Sequence, residues 1–204
     1  MQVTELNIYP VKSTRRIALS ESEVLPRGLP WDRRWMLVDA SGKFITGRQH
    51  PGLATVQTQI GDNVLHIHAA GHDSLSLPLV PRERRVVEVT VWKDSVGALL
   101  AGSEADAWFS GFLGLDCRLV QMTDDISRGV NPDYGRAGDQ VSFADGFPLL
   151  VISEASLTDL NSRLDQPVEM RRFRPNLVID GDLPYAEDDW RRIRVGEVEF
   201  EGVK

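Results

Sequence analysis

Short apolar runs separated by turn-forming residues occupy the first half of the chain and constrain its fold more than any other feature. Runs of this length are typical of β-strands, because a globular helix needs about ten or more residues of 3.6-residue periodicity. The turns 39–42 and 61–63 suit hairpins, since Gly and Asn tolerate a positive φ. A small antiparallel sheet or barrel is therefore predicted. Its strands are predicted at 2–9, 23–25, 34–38, 54–60, 63–68 and 85–91.

The hydrophobic period changes after Gly102, where apolar residues are spaced for one face of a helix that ends near Gly114. This helix is the predicted divider of two domains, 1–120 and 121–204. A strand over 117–122 and a mobile loop over 123–138 are predicted to follow it. The apolar face of the helix consists of Ala105, Trp108, Phe109, Phe112 and Leu113.

Charge and cysteine content exclude several classes of protein. Lys and Arg number 23 against 30 Asp and Glu, a net charge of -7, which argues against nonspecific binding to nucleic acid or to an anionic membrane. Cys117 is the only cysteine, so the chain holds no disulfide and no cysteine-ligated iron-sulfur cluster. The longest apolar stretch, 147–152, is too short to span a bilayer. A cytoplasmic protein is predicted.

The segment 171–179 is the first candidate anion site. Arg171, Arg172 and Arg174 lie within four positions, and Pro175 and Asn176 lead into an apolar run. Guanidinium groups cost solvation when buried, so phosphate or carboxylate is the expected partner. The alternative is a solvated, charged entry to a strand.

A second candidate anion site lies where a strand over 147–152 leads into a helix. Ser153 and Ser156 precede the helical spacing of Leu157, Leu160 and Leu164. A helix N-terminus offers unpaired N–H donors and the positive end of the helix dipole. Simple capping of the helix is the alternative.

Three more cationic clusters lie in the first 50 residues. Lys12 and Ser13 follow the first strand, and this pair suits a phosphate. Arg33 follows Asp32, and the alternative there is an ordinary ion pair with stacking on Trp31 or Trp35. The third cluster contains Arg48, which could instead decorate a hairpin.

In order and spacing these clusters resemble the molybdenum-cofactor sulfurase C-terminal (MOSC) superfamily with its N-terminal β-barrel-like domain. The resemblance spans nearly all 204 residues. Within the superfamily, the chain is similar to mitochondrial amidoxime-reducing components and bacterial hydroxylaminopurine-resistance proteins. The motifs that carry the resemblance are Tyr9-Pro10-Val11-Lys12-Ser13, 28–35 with Asp32-Arg33-Arg34-Trp35, 46–49 with Pro51, 153–160, Phe173-Arg174-Pro175-Asn176, 185–190 and 196–199.

The resemblance implies an α+β, mostly β fold: an N-terminal β-barrel-like domain at 1–120, then a MOSC β-barrel domain with a few helices at 121–204. It also implies a molybdenum cofactor, a molybdopterin with a terminal phosphate. Lys12, Ser13 and Arg33 would approach the pterin and phosphate from the N-terminal side, and Ser153, Arg174 and Asn176 from the MOSC side. The same resemblance extends to Arg48, Ser156 and Arg172.

One departure from the family pattern concerns the metal. Family members of this type ligate molybdenum through a cysteine shortly after the strand matching 196–200, and this sequence ends at Lys204. We therefore expect a fragment of a longer protein, truncated before that cysteine and inactive as given, with no metal ligand and no catalytic residue of its own. Cys117 is expected to be a small buried hydrophobe.

For the longer protein, the resemblance implies an oxidoreductase that reduces N-hydroxylated substrates, such as hydroxylaminopurines and amidoximes, to amines or amidines, a detoxification role. Electrons would come from an iron-sulfur domain or a separate redox protein. The alternative is a noncatalytic molybdopterin-binding module or a sulfur carrier. Neither specific nucleic-acid binding nor membrane association is expected.

Overall fold

The computed structural model describes residues 1–203 and has a mostly β architecture of the α+β class, which confirms the predicted fold class. The strands in chain order are β1 (Val3–Ile8), β2 (Ile17–Leu19), β3 (Trp35–Val38), β4 (Gln57–Gly61), β5 (Val64–His68), β6 (Leu75–Pro78), β7 (Val86–Val91), β8 (Asp94–Leu100), β9 (Arg118–Gln121), β10 (Val151–Ser153), β11 (Leu177–Ile179), β12 (Arg192–Val195) and β13 (Val198–Glu201). The helices are α1 (Ser103–Leu113) and α2 (Glu154–Ser162), with short 3-10 turns at Pro51–Thr55, Met170–Arg172 and Ala186–Asp189.

Two sheets form the first half of the chain. One has the order β3-β9-β8-β7 and the other the order β4-β5-β6, with antiparallel pairing throughout. Successive side chains of a strand point to opposite faces of the sheet, which explains the burial pattern of β5. Leu65 and Ile67 face the core, and His66 and His68 face solvent. One core cluster packs these inward residues against Phe109 of α1, so the helix covers the sheets.

A third sheet joins the start of the chain to residues 151–179. Its order is β10-β11-β1-β2, in which β1 pairs antiparallel with β11, and β10 runs parallel to β11. Leu6 lies opposite Leu177 in this register. The residues that follow β1 and precede β11 are therefore brought to the same edge of the sheet. The domain boundary predicted at residue 120 stays a prediction.

Local sequence chemistry explains the end of α1 and the start of α2. Gly114 ends α1 in the left-handed conformation with φ 67°, as predicted, because glycine carries no Cβ penalty there. Ser153 begins α2 as its N-cap, and its side-chain oxygen accepts a hydrogen bond from the Ser156 amide.

Several predicted elements differ from the structure. The strand predicted at 23–25 is wrong, because Leu25 makes only an isolated bridge with Gly28 around a turn. The strand predicted at 54–60 begins later, at Gln57, since the preceding residues form a 3-10 turn that starts at Pro51. Strands β2, β6, β8 and β12 were not predicted. Within residues 1–203, none of the helices has the length and apolar character needed to cross a membrane.

Candidate functional site

Two arginines share the ring of one buried tyrosine where β1 ends. The guanidinium carbons of Arg33 and Arg174 lie 4.5 Å and 4.3 Å from the centroid of the Tyr9 ring. Tyr9 is 1% exposed, and its hydroxyl donates to the Pro175 carbonyl at 3.2 Å. Burial raises the pKa of Tyr9 against the opposing effect of both guanidinium groups, so the phenol is neutral at pH 7. The Tyr9 ring thus makes cation–π contacts with two positively charged side chains.

Arg33 is held by three partners. Its Nη1 donates to Asp32 Oδ2 at 2.5 Å and to Asn176 Oδ1 at 2.9 Å, and its Nη2 donates to the Arg174 carbonyl at 2.8 Å. Asp32 is buried and also accepts the Tyr9 amide at 2.8 Å. The ion pair weighed as the alternative for Arg33 is therefore present, but Tyr9 takes the place expected for Trp31 or Trp35 as the stacking partner.

Arg174 carries a poorly compensated charge. Its Nη2 donates to the Thr14 carbonyl at 2.6 Å, and within residues 1–203 it makes no ion pair. Burial, and next the charge of Arg33, lower the pKa of Arg174 to about 10. The guanidinium is still charged at pH 7, so a bound anion would relieve an unfavourable electrostatic environment.

Three residues of this site have an uncommon backbone conformation. Ser13, Arg33 and Arg174 have φ values of 76°, 48° and 61°, in the left-handed region that non-glycine residues seldom adopt. Residues held in such conformations cluster at ligand sites, because surrounding contacts must maintain them. Ser13 Oγ accepts the Gly47 amide at 3.0 Å, which ties this segment to the next loop.

Lys12 is the third cation of the site, and its side chain is nearly buried. Its Nζ donates to the Phe143 carbonyl at 2.7 Å and to Asp145 Oδ1 at 2.6 Å. Burial lowers the pKa of Lys12, against the raising effect of Asp145. Burial also acts to raise the pKa of Asp145, but Lys12 and the Trp92 indole outweigh it, so that the Asp145 pKa lies below its ordinary value. The two side chains form a salt bridge.

Arg48 lies beyond this pair on the exposed surface. Its guanidinium carbon is 5.6 Å from the centroid of the Trp92 ring, and the Trp92 indole donates to Asp145 Oδ1 at 3.0 Å. Arg48 therefore lies against Trp92, and Trp92 and Lys12 both donate to the Asp145 carboxylate.

Ser153 and Ser156 form a separate group at the start of α2. Both are buried, and their hydroxyl oxygens lie 2.7 Å apart. Glu187 Oε1 accepts the Ser153 amide at 2.8 Å and the Ser156 hydroxyl at 2.6 Å. Burial acts to raise the pKa of Glu187, but the bonds from Ser156 and Ser153 outweigh it and lower that pKa. A carboxylate of the chain itself thus occupies the anion position predicted at this helix N-terminus.

The nine predicted cofactor residues fall into three places. Lys12, Ser13, Arg33, Arg174 and Asn176 surround the end of β1, and Arg48 borders them. The serines of α2 lie apart from this group. Arg172 is exposed at the end of a 3-10 turn. The assignment of all nine to a cofactor stays a prediction.

Sequence reasoning missed four residues of the site. Tyr9 was noted only as part of a motif, and its aromatic character between cationic segments was the available signal. Asp32 was considered only as an ion-pair partner. Asp145 and Trp92 gave no local signal, because long-range folding alone brings them to Lys12.

The donor chemistry of the site fits the phosphate and pterin ends of a molybdopterin. Partly buried arginines suit phosphate, and the site has more cations than carboxylates in contact with them. A protein ligand for the metal is a separate matter. Across residues 1–203 no group of three or more His, Cys, Asp and Glu side chains is placed to hold a metal ion. Cys117 is 1% exposed, and burial raises the pKa of its thiol.

Two family profiles match most of this chain. The profile of the MOSC N-terminal beta barrel domain matches residues 1–116, and that of the MOSC domain matches residues 138–204. A solution structure of a Bordetella bronchiseptica protein is 22% identical, covers 57% of this chain and all of its own, and superposes with a TM-score of 0.43.

Curated relatives match over almost the whole chain. Mitochondrial amidoxime-reducing component 1 of Mus musculus is 37% identical and that of Homo sapiens 36% identical, each over 98% of this chain. Mitochondrial amidoxime reducing component 2 of Bos taurus is 33% identical over 98% of this chain. The chain spans 62% of the length of each of these relatives. The family matches and these relatives confirm the resemblance deduced from the motifs: the chain belongs to the MOSC family and begins with a MOSC N-terminal β-barrel domain.

Proposed function

We propose that this chain is the molybdopterin-binding portion of an oxidoreductase that reduces N-hydroxylated compounds such as amidoximes. One observation carries the proposal: Arg33 and Arg174 share the ring of Tyr9, and Asp32 is the one carboxylate in contact with that pair within residues 1–203. Two adjacent partly buried cations against one carboxylate leave a positive charge for a phosphate to neutralise.

Each residue has a distinct part in this proposal. Arg174, which lacks an ion pair, would bind the terminal phosphate. Arg33 is oriented by Asp32 and Asn176, so its remaining donors have a fixed direction. Lys12 would add charge from the side of the Asp145 pair. The left-handed backbone at Ser13 would keep the loop after β1 close to the ligand.

When bound, the cofactor would supply the two-electron chemistry that removes oxygen from an N-hydroxylated substrate. The residues of this chain would bind and orient it. In this proposal the task of Lys12, Arg33, Arg174 and Asn176 is to position the cofactor and to neutralise its charge. Cysteine ligation of the metal, the electron donor, a detoxification role and a cytoplasmic location stay predictions from the sequence.

The names of the relatives support this proposal. Mouse, human and cattle relatives are called amidoxime-reducing components, and each is matched along almost all of this chain. An iron-sulfur domain or a separate redox protein is proposed as the electron source.

Of the alternatives, a sulfur carrier within this chain has the least support. A persulfide carrier needs a reactive thiolate, whereas Cys117 is buried, accompanied by Ser110 and has a raised pKa. A noncatalytic molybdopterin-binding module would use Arg33 and Arg174 to bind the cofactor in the same way. A measurement of substrate turnover distinguishes this module from an enzyme.

The experiment is an assay of benzamidoxime reduction by the protein produced with its natural termini, with a reduced viologen dye as electron donor. Benzamidine is quantified by chromatography in wild type, Arg174→Gln and Arg171→Gln. We expect turnover in wild type and Arg171→Gln and a loss of at least about tenfold in Arg174→Gln, since charge-assisted hydrogen bonds are strong. Bound pterin without turnover would favour the noncatalytic module. Equal turnover in all three proteins would refute the assignment of Arg174.

A further inference from the structure

Trp92 stands at an unusual backbone position. Val91 of β7 pairs with Asp94 of β8, so Trp92 and Lys93 form a two-residue hairpin turn. Trp92 has φ 56° there. Such turns favour Gly, Asn or Asp, because a side chain with a Cβ is strained in the left-handed region. A bulky aromatic residue kept at this position points to a purpose for its ring.

The Trp92 ring is held in place yet still accessible. Its indole N–H donates to Asp145 Oδ1 at 3.0 Å, and its ring centroid lies 4.9 Å from that of Phe44. Despite these contacts, Trp92 is 43% exposed. Burial alone therefore does not account for the strained turn.

Trp92 also lies beside the cations of the candidate site. The Asp145 oxygen that accepts the indole also accepts Lys12 Nζ at 2.6 Å. The Arg48 guanidinium carbon lies 5.6 Å from the Trp92 ring centroid. An exposed, fixed aromatic surface and two cations thus border one another.

We propose that Trp92 is a stacking platform for a planar heteroaromatic or aryl ring of the ligand held at this site. The inference rests on the proposed function and extends it by assigning a residue to the flat part of the ligand. Cations would neutralise the anionic end, while the indole face would contact the ring. The ring could belong to the pterin or to an aryl amidoxime, and the two sources are separated by their probes.

The turn conformation offers a test that separates binding from folding. Trp92→Gly removes the ring but suits the positive φ, so the fold should be retained. Trp92→Phe keeps an aromatic face and removes the indole N–H that binds Asp145. Trp108→Leu is the matched control, because Trp108 lies on α1 and donates to the Asp73 carbonyl, away from the cations. Thermal melting by circular dichroism checks the fold of each variant.

Affinities of these proteins for free pterin, benzamidoxime and inorganic phosphate are measured by calorimetry. We expect Trp92→Gly to weaken the binding of pterin, benzamidoxime or both by about tenfold, the size typical of stacking on an aromatic side chain. Trp92→Phe and Trp108→Leu should stay within about threefold of wild type. Loss for pterin alone assigns the platform to the cofactor, and loss for benzamidoxime alone assigns it to the substrate.

Other outcomes overturn the inference. Unchanged affinity of a folded Trp92→Gly for both ring probes would show that the platform does not exist. Equal losses in Trp92→Phe and Trp92→Gly would assign the effect to the hydrogen bond with Asp145. If either of these results is found while phosphate binding still depends on Arg174, only the platform is refuted and the proposed function is unaffected. Wild-type protein that binds none of the three probes would contradict both proposals.

Discussion

Asn176 Oδ1 accepts a 2.9 Å hydrogen bond from Arg33 Nη1, although the two residues are 143 positions apart. Asn176 is 1% exposed, and its side chain also accepts the Leu150 amide at 3.2 Å and donates to the Asn7 carbonyl at 3.1 Å. One amide side chain therefore orients a site arginine and joins β1 to the segments before β10 and β11. A change at Asn176 is therefore expected to affect both the stability of the fold and the orientation of Arg33.

Asn176→Leu is predicted to destabilise the fold severely. The substitution removes the side-chain partner of the buried Asn7 carbonyl, at about 1 to 3 kcal/mol for an unsatisfied buried group, and that of the partly buried Leu150 amide. Urea denaturation measures the free energy of unfolding. Asn161→Ala is the control, since its side chain bonds only to Val168 in a partly buried place. A loss for Asn176→Leu no greater than that of the control would show that this network is not important for stability.

Arg174→Gln is predicted to weaken phosphate binding while leaving the fold intact. Arg174 has a pKa lowered to about 10 and makes no ion pair within residues 1–203, so removing its charge relieves a cost as well as losing the bond to Thr14. We expect stability to change by no more than about 1 kcal/mol and phosphate affinity to fall at least about tenfold.

The matched control for that variant is Arg171→Gln. Arg171 is exposed and paired with Glu169, so neither affinity nor stability should change measurably. Calorimetry gives the affinity and urea denaturation the stability. Phosphate affinity that falls equally in the two variants would indicate a general effect of charge rather than a site at Arg174.

Much of the fold could be predicted because it depends on local chemistry. Neighbouring residues determine the helical period of α1 and its end at Gly114. They also determine the N-cap of α2 at Ser153. Strand β8 was missed because Gly97, one alanine and two leucines follow one another without a clear alternation, and its pairing with β7 determines its conformation. Strand β2 has only three residues, so its pairing with β1 decides it.

The residues of the candidate site likewise divide into those that could be predicted from local sequence and those that could not. Cationic residues such as Lys12, Arg33 and Arg174 could be selected because of their charge and their places beside strands. Asp145 could not, since an aspartate in a loop has many roles and only the tertiary fold brings it to Lys12. Glu187 could not be selected either, since it is one of three consecutive acidic residues and only long-range packing places its carboxylate on the N-terminus of α2.

Asp145→Asn is predicted to alter stability in a pH-dependent way. Its pKa is lowered from the ordinary 3.8, so the folded state binds a proton less readily than the unfolded state. The stabilisation is therefore present above pH 3.8 and is lost as the pH falls through the folded-state pKa. Because the Asp145 side chain is 64% exposed, we expect a cost of only about 1 kcal/mol at pH 7.

Urea denaturation of wild type and Asp145→Asn over a pH series checks this expectation. The two free energies of unfolding should converge as the pH falls below 3.8. A difference that stayed constant down to the acid end of the series would show that Asp145 stabilises the fold through packing rather than through its charge.

Glu187→Gln is predicted to weaken the start of α2. Glu187 places negative charge at the positive end of this helix and accepts from Ser153 and Ser156. The variant should lose about 1 kcal/mol at pH 7, and the loss should shrink below pH 4.5, the ordinary pKa of the group. Hydrogen exchange of the first α2 amides measures the effect. The exposed Asp188, replaced by Asn, is the control, and equal exchange in the two variants would contradict this role.

The most direct test of the central claim is the pterin content of the purified protein. Wild type, Arg33→Gln/Arg174→Gln and a control, Arg171→Gln/Arg192→Gln, are produced with natural termini in a host that makes molybdopterin, and the released pterin is oxidised and quantified by fluorescence. We predict pterin in wild type and in the exposed pair variant, and a loss of at least about tenfold in the variant of the Tyr9-bound arginines. Equal pterin in all three proteins, or none in wild type, would contradict the account.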